Sequence, residues 1–76
     1  MSEILTPDPE RLLELVGWRM PFGKYAGRAL IDLPQAYLVW FSQKGFPRGR
    51  LGEALELCLV VKHNGLEGMV RALERG

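Results

Sequence analysis

Met20-Pro21-Phe22-Gly23-Lys24-Tyr25-Ala26-Gly27-Arg28 is the stretch on which the fold class turns. It holds two glycines, a proline, two rings, a thioether and two cations in one short run. That composition suits neither a helix nor a regular strand. Gly23 and Gly27 bracket Lys24-Tyr25-Ala26, and glycine takes the positive φ that a tight loop demands. Arg19 to Phe22 reads as a short extended segment with Pro21 at an edge position. Arg28-Ala29-Leu30-Ile31 reads as the returning strand. The economical prediction is a β-hairpin that presents Lys24 and Tyr25 at its tip. A two-stranded hairpin is unstable alone, so helices must cover one face.

Helix signals surround it. Thr6-Pro7-Asp8-Pro9 opens a first helix, with Asp8 as cap and Pro9 at the first helical position. Leu12, Leu13 and Val16 form its apolar stripe and Gly17 ends it. Asp32-Leu33-Pro34 opens a second helix, with Asp32 or Leu33 ahead of Pro34, carrying Tyr37, Leu38, Trp40 and Phe41 and stopping at Gly45. Phe46-Pro47-Arg48-Gly49-Arg50 is a basic loop rich in breakers. A third helix runs from Leu51, with Leu55, Cys58, Leu59 and Lys62 on one side, and stops at Asn64-Gly65. Leu66, Met69, Val70 and Leu73 follow the spacing i, i+3, i+4, i+7 of an amphipathic last helix. The prediction is α+β: one small domain over 1–76, with an N-terminal helix, a short β-hairpin and three further helices.

The 76 residues carry a formal net charge of +1, with 47% hydrophobic and 25% charged residues, the balance of an ordinary globular domain. So short a chain has little room for a deep substrate pocket, and a homo-oligomer stays open as a source of further burial. The single cysteine, Cys58, cannot form an internal disulfide, which points to the reducing cytoplasm. Ile4 and Leu5 run at once into Thr6-Pro7-Asp8-Pro9, so neither a signal peptide nor a membrane span is expected.

Net charge hides an asymmetry. Residues 19–50 carry six cations, Arg19, Lys24, Arg28, Lys44, Arg48 and Arg50, against the single acid Asp32. The same segment holds every aromatic residue except Trp18. Cations for phosphates and rings for bases are what a nucleic-acid surface needs. The rings could equally fill the core, and Trp40 and Phe22 are expected to be largely buried, with Tyr37 intermediate and Tyr25 the most exposed ring.

Four separated motifs agree in order with one family. They are Met20 to Gly27, Leu30 to Trp40, Gly45 to Gly52, and Asn64 to Glu67. Over roughly residues 9–75 the chain resembles small bacterial proteins of unknown function labelled putative quorum-sensing-regulated virulence factors. A similar module sits at the C-terminus of some exonuclease X-like and polymerase-proofreading-like nucleases. That resemblance implies an association with nucleic acid, although the module is not the nuclease, and the virulence label implies no chemistry. The family often has a basic residue between the tyrosine and the second glycine, where this chain has Ala26, one cation fewer at the loop tip.

The inventory argues against an enzyme. Cys58 falls on an apolar stripe, and His63 is five positions on, about 140° around the helix, so the two share no face. One histidine and one cysteine make no metal cluster, and paired carboxylates are absent between residues 15 and 52. Gly23 to Gly27 is no Walker loop, because Arg28-Ala29 follows where Lys-Ser or Lys-Thr opening a helix is required. The first expectation is a non-catalytic nucleic-acid-binding module without cofactor. Lys24, Arg28, Lys44, Arg48 and Arg50 would meet phosphates and Tyr25 would stack on a base, with weak, salt-sensitive binding that does not read sequence. The alternatives are a protein-interaction adaptor, using the loop or the apolar edge of the last helix, and a homo-oligomeric accessory protein.

Overall fold

The computed structural model describes residues 9–75, so the expected cap Asp8 lies outside the described residues. Within them are four α-helices: α1 (Pro9–Gly17), α2 (Gln35–Lys44), α3 (Arg50–His63) and α4 (Glu67–Arg75). A 3-10 turn, Leu30–Asp32, precedes α2.

In an α-helix each residue advances about 100°, which puts Leu12, Leu15 and Val16 of α1 on one side and Leu13 off it. Leu12 and Leu15 are accordingly buried and Leu13 is exposed. Leu15, not Leu13, joins Leu12 in the core. α1 packs on α4, α3 and the 3-10 turn, and α2 packs on α3. Leu30 and Ile31 of the turn join Leu15, Leu38, Leu55 and Val70 in one apolar cluster. The Cys58 thiol is buried among them and donates to the Leu30 carbonyl at 3.0 Å, tying α3 to the turn.

The α+β prediction is overturned: the fold is all-helical, with no strand among the described residues. The stretch expected to form a hairpin makes one antiparallel bridge, Arg19 to Ala29, and no ladder. Leu30 N–H donates to Trp18 O (3.0 Å), Met20 N–H to Arg28 O (2.8 Å) and Gly27 N–H to Met20 O (2.8 Å). Pairing stops there for lack of free donors. Pro21 has no N–H. Ala26 N–H donates to Gly23 O and Arg28 N–H to Tyr25 O, so successive turns use the groups that a ladder would need. Beyond Ala29, the N–H groups of Asp32 and Leu33 turn back to Ala29 O and Leu30 O and wind the expected second strand into the 3-10 turn. Gly23 (φ 82°) and Gly27 (φ 89°) do supply the positive φ foreseen for them. The result is a closed loop, braced by the Arg19 guanidinium on Gly27 O at 2.9 Å.

The start of α2 carries a further correction, while α3 ends at Asn64-Gly65 as expected. Pro34 itself flanks α2, whose first residue is Gln35. Asp32 does not cap α2; its carboxylate pairs with Arg71 of α4. At the end of α3, Gly65 N–H donates to Lys62 O (3.1 Å) and Leu66 N–H to Val61 O (2.9 Å). This is the pair of bonds that satisfies the last carbonyls of a helix and redirects the chain. It turns α4 back so that Val70 enters the core.

Candidate functional site

Helix α2 contains Tyr37-Leu38-Val39-Trp40-Phe41, an apolar run that goes right around the helix. Only Leu38 of α2 is buried completely. Trp40 lies about 160° around the helix from Leu38 and therefore points outward. The expectation of a largely buried Trp40 and Phe22 is overturned: Trp40 is 50% exposed and Phe22 44%. Tyr37 is half-buried as expected, but so is Tyr25, which is not the most exposed ring.

These rings form one array. Tyr25 meets Tyr37 edge to face, centroids 4.8 Å apart and planes at 64°. Tyr37 lies nearly parallel to Trp40, at 6.0 Å and 19°. Phe41 touches Tyr37 at 5.8 Å, Trp40 at 5.9 Å, Phe46 at 5.6 Å and Phe22 at 6.4 Å. Such pairs each contribute about 0.5–1.5 kcal/mol beyond their burial, enough to hold the loop against α2 without a β-ladder.

Cations frame the array. Lys24 Nζ is 5.6 Å from the Tyr25 ring centroid and the Arg28 guanidinium carbon 5.3 Å from it. Lys44 Nζ is 5.9 Å from the Trp40 centroid. A cation over a ring face is attracted by the ring quadrupole and keeps its full charge. Among the described residues, none of these three cations forms an ion pair. By contrast Arg11 pairs with Glu53 (3.4 Å), Lys62 with Glu67 (3.7 Å), Arg50 with Glu14 and Arg71 with Asp32.

Of the residues singled out by sequence, Lys24, Tyr25, Arg28 and Lys44 come together, joined through Tyr37 and Trp40. Arg50 is held by Glu14 at the start of α3. Arg48 is exposed in the loop before α3, with neither a carboxylate nor a ring partner among the described residues. The sequence reading missed Trp40 and Phe22 as surface residues. A signal was present: Tyr37, Trp40 and Lys44 fall at i, i+3 and i+7, one side of a helix ending in a cation.

The groups with reactive chemistry lie elsewhere. Burial pushes the Cys58 thiol up from 9.0 to about 11, with Lys62 opposing and Glu67 and Asp32 reinforcing, so it stays protonated near neutrality. His63 is exposed at the last position of α3. Among the described residues no three His, Cys, Asp or Glu side chains converge as metal ligands. The cleft between Arg11, Glu14, Arg50 and Glu53 encloses about 10 Å³, room for about one water. No described helix is long and apolar enough to cross a membrane.

Known proteins resemble the chain along nearly its whole length. The sequence model of a family described as "putative quorum-sensing-regulated virulence factor" matches residues 8–73. Uncharacterized protein YpeB of Escherichia coli strain K12 is 49% identical over 69 residues, 90% of this chain and 96% of YpeB. YpeB of Escherichia coli O157:H7 matches equally. No solved structure matches significantly. With the loop, the ring array and all but the last two residues of α4 inside the matched span, the chain belongs to the family of putative quorum-sensing-regulated virulence factors.

Proposed function

We propose that the protein is a non-catalytic nucleic-acid-binding module. The observation that carries this reading is the pairing of partly exposed rings with cations that, among the described residues, no carboxylate neutralises. Lys24, Arg28 and Lys44 offer charge to phosphates, and the rings between them offer flat apolar surface to bases. The likeness to a module at the C-terminus of exonuclease X-like nucleases supports the same reading by association. The absence of catalysis rests on the inventory: the lone thiol is buried and protonated, and the lone histidine does not share its face. The buried single cysteine fits a reducing cytoplasm.

Fluorescence anisotropy of labelled oligonucleotides at several salt concentrations tests the proposal. Saturable binding that weakens steeply with salt, and whose salt dependence flattens in Lys24→Ala/Arg28→Ala, is expected. No binding at high micromolar protein in low salt overturns it.

One observation favours a second reading, a protein adaptor or homo-oligomer. Of the α4 stripe only Val70 is buried, while Leu66, Met69 and Leu73 are exposed. Light scattering of the purified protein distinguishes a monomer from a self-associating chain.

A further inference from the structure

Tyr25 is the more enclosed ring: it is half-buried, whereas Trp40 is exposed. Two cations lie over the Tyr25 ring, at 5.6 and 5.3 Å from its centroid, and the edge-to-face contact with Tyr37 takes up more of it. A base laid on Tyr25 would displace one of these groups. Trp40 is half exposed even with Tyr37 nearly parallel to it at 6.0 Å and Phe41 at 5.9 Å, and among the described residues one cation, Lys44, lies near its ring, at 5.9 Å. Phe22 is nearly as exposed. Both rings contact Phe41, at 5.9 and 6.4 Å, which places them as neighbours around one half-buried ring.

In a duplex each base already stacks on both faces and shows only its edges in the grooves. An exposed ring can take a base face only from an unpaired strand. Resting on the nucleic-acid reading above, we infer that this face takes a single strand, its bases stacking on Trp40 and Phe22 and its phosphates meeting Lys24, Arg28 and Lys44. Tyr25 is then a positioning residue: its ring holds Lys24 and Arg28 beside the strand and receives no base. The charges on this face set where the backbone runs, and the rings set that it must be unpaired.

The test uses the full chain and fluorescein-labelled 20-nucleotide oligo(dT), 20-nucleotide oligo(rU) and a 20-base-pair mixed-sequence duplex at one salt concentration. At least one single strand should bind about tenfold more tightly than the duplex, the discrimination that one base stack supplies. Trp40→Ala should weaken single-strand binding about tenfold with its salt dependence unchanged, and Trp40→Phe should recover most of the loss. Lys44→Ala should instead lower the slope of log K against log salt by about 0.7. In a Trp18→Phe background, where Trp40 is the remaining indole, saturation with oligo(dT) should quench the emission. This readout does not depend on the alanine variant folding. Equal affinity for strand and duplex, Trp40→Ala binding like wild type with unchanged far-UV circular dichroism, or unquenched Trp40 emission at saturation would overturn the single-strand assignment and leave nucleic-acid binding standing. Absence of binding to all three probes would remove both.

Discussion

In the frame of α1, α3 and α4, Arg11, Arg50, Lys62 and Arg71 each meet a carboxylate, whereas on the loop and α2 Lys24, Arg28 and Lys44 lie over aromatic rings. Both arrangements hold long side chains in place, but they differ in what they leave over. An ion pair cancels its charge locally. A ring attracts the cation and leaves the charge intact, so the field of the loop-and-α2 region remains positive although the chain carries only +1. Net charge is therefore a poor guide here, and the partner of each cation is the informative quantity.

The largest expected effect comes where the two regions are joined. A Cβ on Gly52 would stand 1.7 Å from the Pro47 carbonyl oxygen, so the loop carrying Phe46 can seat on α3 only if residue 52 is glycine. Gly52→Ala should destabilise the protein by about 3 kcal/mol or more and detach the Phe46 end of the ring array. Urea unfolding measures this, and wild-type stability in that variant would break the link between frame and array.

The buried frame should also have its own pH signature. Cys58 has a folded pKa raised above its ordinary 9.0, to about 11, so its contribution is fully present below pH 9 and lost as pH rises toward 11. Relative to Cys58→Ala, wild type should lose on the order of 2 kcal/mol across that window in urea titrations. A constant difference would show that the thiol is not held as described.

The smallest effect concerns the ion pairs themselves. Arg71 and Asp32 are each nearly half exposed, so solvent screens their attraction. A double-mutant cycle with Arg71→Ala and Asp32→Ala should give a coupling below about 1 kcal/mol. A larger value would mean that the frame's pairs hold the fold and do more than dispose of charge.

The two regions also differ in how far the sequence reveals them. The helices of the frame are legible because their signals agree: Pro9 starts α1, Gly45 stops α2, Asn64-Gly65 ends α3, and the 66, 69, 70, 73 spacing marks α4. Within α1, Leu12-Leu13 offers two adjacent apolar sides, and it is the advance of about 100° per residue that puts Leu15 and not Leu13 beside Leu12. The loop is half legible. Its glycines mark the positive φ, but alternating composition does not say whether backbone donors are used across a ladder or locally in turns, and here turns take them. The site was partly legible for a third reason. A run such as Tyr37 to Phe41 covers all sides of its helix, so periodicity names no buried face, and the exposure of Trp40 emerges only once Leu38 is anchored in the core. The cations of the site, Lys24, Arg28 and Lys44, were visible as a charge bias, whereas the capture of Arg50 by Glu14 depends on tertiary packing.

The most direct test compares two double variants that remove equal charge from the two regions, Lys24→Ala/Lys44→Ala and Arg11→Ala/Arg71→Ala, by anisotropy of labelled oligo(dT) across a salt series. The first should weaken binding and lower the slope of log K against log salt by about 1.4, while the second should leave affinity and slope unchanged. Equal losses in both variants, or none in either, would show that the ring-held cations are not the binding charges.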